Sequence, residues 1–404
     1  FLLYHFWQYR AYFSVRYYLK MDKSLRKFIS YFTTGEKIAL ITAFLCGLVT
    51  HMYMFTNKIP NHDDMRYSFS YSNLVQDVYT SNSRWGLPFL SQLSGFWSTP
   101  WLIGILSILF LSLTAMLVVR MLKIQGIVTA ALTGCLLVTF PTVTAIFEYM
   151  VTADTYFLAL LLCTLASFIL TKNNVFCFIF SVLCFTLSLS IYQPFLPFAL
   201  SLFCAYLIRV LIEKRDNRLV IISFAKLAVA SALGLALYLI VAKLLGAMGD
   251  RVNSQKLGGI REIVGRGVQG LQSLFGFFFQ DSLNLTSSYF CVAFCILSVL
   301  SAVLFVISVK RRRMSLSNKI CLTFFVIAFL GSLISVYIII SETIHLLMIY
   351  AFVMLPISYV AVFDVWVKRF NIKTIKITSA AAVCLTALLC WNFMITANHN
   401  YLRM

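Results

Sequence analysis

The chain has 404 residues, 61% of them hydrophobic and 12% charged, with a mean hydropathy of +0.88, which lies far outside the range of soluble domains. A formal net charge of +19 would suggest a nucleic-acid partner in a soluble protein, but here it reads as membrane topology and contact with anionic inner-leaflet lipid, and no nucleic-acid motif is present. No cleaved secretory signal is read, because the early apolar runs lack a small-residue cleavage site and many more runs follow.

In chain order, residues 1–37 form a basic N-terminal segment. The stretch "MDKSLRKFISYF" from Met21 reads as a natural start. Residues 1–20 are then expected to be an over-extended frame or an aromatic and basic helix on the inner leaflet. Residues 38–396 hold eleven apolar runs able to span about 30 Å of hydrocarbon. They cover 38–55, 101–119, 126–146, 155–171, 175–191, 195–212, 219–246, 289–309, 320–340, 346–366 and 377–396. None alternates as a strand would, so each is expected to be a helix that satisfies its own backbone groups. Residues 397–404 read as the start of an external segment that continues further. The expected fold is an all-α polytopic membrane protein of about 11 transmembrane helices, with interfacial helices in the first and a later long external loop.

Orientation follows from the basic residues. With the N-terminus in the cytoplasm, 23 of the 33 Lys and Arg fall on the inner side, including the run Lys310–Arg313, a strong positive-inside bias. Nine of the 14 acids fall outside: Asp63, Asp64, Asp77, Glu148, Asp154, Asp250, Glu262, Asp281 and Glu342. The external loops 56–100 and 247–288 are long, whereas the cytoplasmic connections are short, basic and without a Gly-rich phosphate loop. That leaves no room for a nucleotide-binding domain. Activated substrate must come by another route, and a lipid-linked donor fits.

The first external loop holds "IPNHDDMR", two adjacent carboxylates just after the first span, and mixes aromatic and polar residues in the manner of short interfacial helices. The second carries Arg251, Lys256, Arg261 and Arg266 ahead of an apolar segment, a combination suited to a phosphate and a lipid chain. The eleven cysteines all lie in expected spans. Cys291 and Cys295, four apart on one helix, have no His or acidic partners, so neither a zinc site nor a disulfide framework is supported.

The paired acids after span one, the downstream "RWG", the turn "EYMVTADTYF", "SLSIYQPF" before span six and the external "RVNSQKLGG" together resemble the bacterial and phage serotype-converting O-antigen glucosyltransferases, the Gtr type II family. The resemblance runs over roughly residues 30–395. It implies a glycosyltransferase of the GT-C class in the bacterial inner membrane, with its active site facing the periplasm. The implied reaction moves glucose from undecaprenyl-phosphate-glucose to a sugar of lipid-linked O-antigen. A donor-synthesising glucosyltransferase and a flippase would be its functional partners.

The resemblance assigns catalysis to Asp63 and Asp64. A carboxylate within hydrogen-bond reach of an attacking sugar hydroxyl can act as general base, for about 10²–10⁴-fold. One acid suffices for that. The second has three open roles: holding the acceptor, raising its neighbour's pKa, or binding a divalent cation such as Mg or Mn. No other cofactor is expected. Arg84, Arg251, Arg261 and Arg266 are the candidates for the donor phosphate, Arg84 first. Glu148, Asp154, Tyr192, Gln193 and His345 are the candidates for the acceptor.

Plainer readings stand beside these. Adjacent acids can be solvated loop residues, Arg84 beside Trp85 a headgroup anchor, Glu148 and Asp154 helix-terminating charges, and Tyr192-Gln193-Pro194 only a turn. Three rival functions stand against this reading. A flippase or transporter would place its charges at mid-membrane. An O-antigen polymerase would rely on arginines and histidine in large external loops. A membrane acyltransferase would need a histidine pattern that is not found.

Overall fold

The computed structural model describes residues 30–57, 59, 61–69, 71–77, 82–95, 98–249, 259–280, 288–312, 314–340, 343–369 and 373–403. The N-terminal extension, Asp250, Arg251, Lys256, Asp281 and Glu342 lie outside the described residues.

Among the described residues the structure is helical, without strands. Helix α1 (Thr34–Thr56) leads into two short helices, α2 (His62–Phe69) and α3 (Tyr71–Asp77), then one turn, α4 (Leu87–Leu90). The bundle continues with α5 (Pro100–Met121), α6 (Ile127–Thr139), α7 (Pro141–Phe147), α8 (Met150–Leu170), α9 (Val175–Ile191), α10 (Leu196–Lys214) and α11 (Asn217–Leu244). The last third holds α12 (Ile260–Phe279), α13 (Ser288–Arg311), α14 (Leu316–Leu333), α15 (Ser335–Ile339), α16 (Met354–Arg369) and α17 (Lys373–Arg403).

All eleven apolar runs become helix, but not eleven straight spans. Eight helices are long and apolar enough to cross a membrane, or nine if α6 and α7, bent by 41° between Thr139 and Pro141, count as one. The bend has a local cause: Phe140 is extended, as a residue before proline tends to be, and α7 restarts with Pro141 in its first turn. The helix α9 and the helical stretch Tyr350–Val365 are apolar but shorter. Counting apolar residues overestimates straight length where 3-10 turns or a break intervene, as they do over Tyr350–Val353 and at Ile334.

The centre of the bundle is built on α5, α8 and α10, whose most apolar stretches are about two-thirds buried, against 22% for α11. Fully buried phenylalanines, among them Phe140, Phe147, Phe157, Phe195, Phe198 and Phe203, fill it. Small residues four apart on α1 (Ala39, Ala43, Gly47) are buried and allow close helix approach. A Cβ on Gly47 would fall 2.8 Å from Ile108 Cδ1, and one on Gly134 of α6 would fall 2.7 Å from the Ala39 carbonyl oxygen.

Helix starts differ between the two ends of the bundle. At the end rich in Lys and Arg, α1 begins with a Thr33–Glu36 capping box, while Asn174, Asp216 and Ser315 cap α9, α11 and α14. At the opposite end α8 starts with no cap of its own, since its N-cap residue is Tyr149 and makes no side-chain hydrogen bond. Its first N–H groups therefore need a partner from elsewhere.

Candidate active site

That partner comes from the loop after α1. Asn61 Oδ1 accepts the Asp64 backbone N–H at 2.7 Å and so starts α2, with Asp63 and Asp64 in its first turn. Neighbouring residues on a helix point about 100° apart, so the two carboxylates face different surroundings. Asp64 is buried, 1% exposed, and accepts from Val151 N at 2.9 Å and Met150 N at 3.2 Å. It is the borrowed cap of α8. Burial pushes its carboxyl up to about 6, against the backbone N–H groups of Val151, Asn61 and Met150, which pull it down; the nearby Asp63 charge adds to the rise.

Asp63 keeps its carboxylate free of the backbone. Its side chain is 37% exposed, with Oδ1 3.2 Å from His62 Nδ1. It borders a cavity of about 190 Å³, together with Asp64, Tyr67, Arg84, Tyr156 and His345.

Arg84 is delivered by a tightly held loop. Ser83 adopts the left-handed conformation, φ 54°, and its Oγ accepts from Gly249 N at 2.7 Å. Gly86 N–H donates to the Ser190 carbonyl at 3.0 Å, and a Cβ there would come 2.1 Å from Ser190 Oγ, so any side chain at this position would have to displace Ser190. Trp85 Nε1 donates to the Tyr238 carbonyl at 3.3 Å, which makes it a docking contact on α11. Gln193 Nε2 reaches Asn82 O at 3.3 Å and Tyr238 Oη at 2.9 Å.

The guanidinium so placed donates to Tyr156 Oη at 2.8 Å and lies 4.9 Å from the ring centroid of Tyr192, which stacks on Tyr156 at 4.4 Å. Its Nε is buried without a hydrogen-bond partner, and among the described residues no carboxylate pairs with it. Arg120, Arg209 and Arg266, by contrast, all lie within ion-pair distance of a glutamate. A desolvated cation held only by aromatic faces and one hydroxyl is a place for an anion.

The structure thus brings Asp63, Asp64, Arg84 and His345 to one cavity. The other candidates stand elsewhere. Tyr192 is fully buried behind Arg84 and donates to the Leu347 carbonyl at 3.3 Å, so it and Gln193 support the wall without forming it. Glu148, at the end of α7, is half-buried, its carboxyl raised by burial, and lies outside the cavity wall. Asp154 is buried within α8 beside Thr155, whose N–H it accepts at 2.8 Å. Arg266 pairs with Glu262 and lines a separate polar cavity with Tyr337 and Thr343; Arg261 is exposed and lines neither. Residues not singled out from the sequence also line the site: Tyr67, Asn82, Tyr149, Thr152 and Tyr156. The spacing of Tyr149, Thr152 and Tyr156, three and four apart, was the available signal for one helix face.

Asp64 already spends both oxygens on backbone N–H groups, and no group of three or more His, Cys, Asp or Glu among the described residues could hold a metal ion. All eleven cysteines are free.

Comparison with known proteins agrees with the architecture. No curated protein and no solved structure matches the chain. The family model described as glucosyl transferase GtrII matches residues 52–363, a stretch that contains Asp63, Asp64, Arg84 and His345. With three-quarters of its length matched and a polar cavity at the loop-bearing end of an all-helical membrane bundle, the chain belongs to the GtrII glucosyl transferase family.

Proposed function

We propose that this glucosyltransferase acts on the periplasmic face of the bacterial inner membrane, moving glucose from undecaprenyl-phosphate-glucose to a sugar of lipid-linked O-antigen. One observation carries the reading: a half-exposed carboxylate, Asp63, and a guanidinium with no paired carboxylate among the described residues, Arg84, border the same small cavity. Glycosyl transfer from a phosphate-linked donor needs a proton acceptor for the incoming hydroxyl and stabilisation of the departing phosphate, and these two charges can supply both.

The acceptor hydroxyl oxygen attacks the anomeric carbon of the donor while its proton passes to Asp63. The bond between that carbon and the phosphate oxygen breaks, its electron pair leaves with polyprenyl phosphate, and Arg84 stabilises the charge that develops. His345, exposed at the cavity rim, is a further donor for either substrate. Direct displacement inverts the configuration, so a β-linked donor yields an α-glucoside. Asp64 is a positioning residue: by closing the start of α8 it holds Asp63 opposite the helix face that carries Tyr149, Thr152 and Tyr156. The positive-inside bias supports the periplasmic orientation of this end.

The test is O-antigen modification in cells that make and flip lipid-linked glucose, with mass spectrometry of the repeat unit. Wild type should add one hexose per modified unit, and Asp63→Asn at matched membrane expression should add none. Full modification by Asp63→Asn would overturn the assignment of the base, and a change of chain length without added hexose would overturn the reaction.

A further inference from the structure

At the opposite, basic end of the bundle a second cavity of about 520 Å³ opens between α10, α13, α14 and α16. Its walls are mainly apolar, with Ile208, Phe305, Leu330, Leu355 and Val362 among them. From Arg312, just past the end of α13, it runs back along that helix to Ser298, roughly 21 Å at 1.5 Å per residue, and so reaches from the helix ends well into the bundle.

Among the described residues at its mouth, three cations, Lys123, Arg209 and Arg312, stand with two carboxylates, Glu213 and Asp364. Glu213 is shared by Lys123 at 2.8 Å and Arg209 at 2.9 Å. Asp364 accepts from Gly126 N and Thr129 Oγ1, both at 2.7 Å. Arg312 is left over: its Nε is buried without a hydrogen-bond partner, and no carboxylate among the described residues pairs with it. Ser301, deeper in the cavity, also has a buried, unpartnered hydroxyl. An apolar slot with a spare cation at the membrane surface fits an anionic amphiphile, its chain inside and its phosphate on the guanidinium.

We propose that this cavity is a binding site for one anionic glycerophospholipid of the cytoplasmic leaflet, with its phosphate on Arg312 and an acyl chain along α13. The polyprenyl carrier is the poorer occupant, because its phosphate must reach Arg84 at the other end of the bundle. The exclusion of the polyprenyl carrier rests on the reaction assigned to the Asp63 cavity; the apolar slot and its arginine do not.

Native mass spectrometry of the purified full chain tests it, with phosphatidylglycerol, phosphatidylethanolamine and undecaprenyl phosphate as probes. Wild type should retain one phosphatidylglycerol in preference to phosphatidylethanolamine by about fivefold, the discrimination one basic side chain provides at a lipid surface. Arg312→Gln should abolish that preference and Arg312→Lys keep part of it. Ala302→Phe, which fills the cavity from α13, should remove the retained lipid at unchanged melting temperature. The proposal fails if wild type shows no preference, if Arg312→Gln binds as wild type does, or if undecaprenyl phosphate displaces the phospholipid at equal concentration.

Discussion

Two buried aspartates do the same job at opposite ends of this bundle, and only one stands beside a candidate active site. Asp364, 2% exposed on α16, accepts from the backbone N–H groups of Gln125 and Gly126 and from Thr129, bracing the start of α6. Asp64, 1% exposed on α2, does the equivalent for α8 through Met150 and Val151. Both are borrowed caps, so a buried carboxylate is not by itself a functional sign. What separates the two places is the neighbourhood. Beside Asp64 stand a second acid whose carboxylate meets only the His62 side chain and an arginine with no paired carboxylate among the described residues.

The comparison breaks most sharply at Asp63. Asp63→Asn should lower glucosyl transfer by about 10²–10⁴-fold, the range for loss of a general base, at unchanged melting temperature, since this carboxylate supports no backbone group. An in-membrane transfer assay with a lipid-linked donor, run beside a thermal melt, checks both halves.

Arg84→Gln comes next, with an expected loss of about 10²–10³-fold in kcat from the missing charge on the leaving phosphate. Arg84→Lys should recover little, because a lysine ammonium cannot both meet Tyr156 and lie across the Tyr192 ring as the planar guanidinium does. Recovery to near wild type would reduce Arg84 to a generic positive charge.

The two caps should then part company. Asp64→Ala and Asp364→Ala each leave buried N–H groups unpaired and should each cost about 1–3 kcal/mol of stability. Only Asp64→Ala should also reduce kcat per folded molecule, because it frees the segment that carries Asp63. Equal kinetic effects would mean that Asp64 acts through stability alone.

The smallest effect is a pH dependence. Because burial raises the Asp64 carboxyl to about 6, the native state holds its proton more tightly than the unfolded chain does. The resulting stabilisation is fully present below the ordinary aspartate range near 4 and is lost as pH rises through about 6. The melting temperature of wild type relative to Asp64→Asn should therefore decline over that window and level off above it. A difference that rises with pH would show that the α8 N–H groups outweigh burial.

Much of the molecule was legible before any coordinates. The helical class and the membrane setting follow from runs of apolar residues that must bond their own backbone in lipid. The concentration of polar chemistry at one end was visible in the charge bias, and the loop motifs around Asp63, Arg84 and "EYMVTADTYF" pointed to the family that the match over residues 52–363 bears out. Each of these depends on local order along the chain, and local order is what a sequence states directly.

The number of straight crossings, and which polar residues meet, were decided only in three dimensions. Phe140 before Pro141 bends one run, and 3-10 turns shorten another. Asp63 and Asp64 are neighbours in sequence and both border the cavity, yet a rotation of about 100° per residue leaves one carboxylate half-exposed and commits the other to the start of α8, 86 positions away from it in the chain. Glu148 and Asp154 belong to the same stretch of sequence as Tyr149, Thr152 and Tyr156, but of these five only the last three line the cavity. Composition shows that a charge exists; only packing shows whether another charge has already claimed it. That is why Arg84 and Arg312, ordinary basic residues in the sequence, each carry a buried Nε without a hydrogen-bond partner and no paired carboxylate among the described residues once the bundle is assembled.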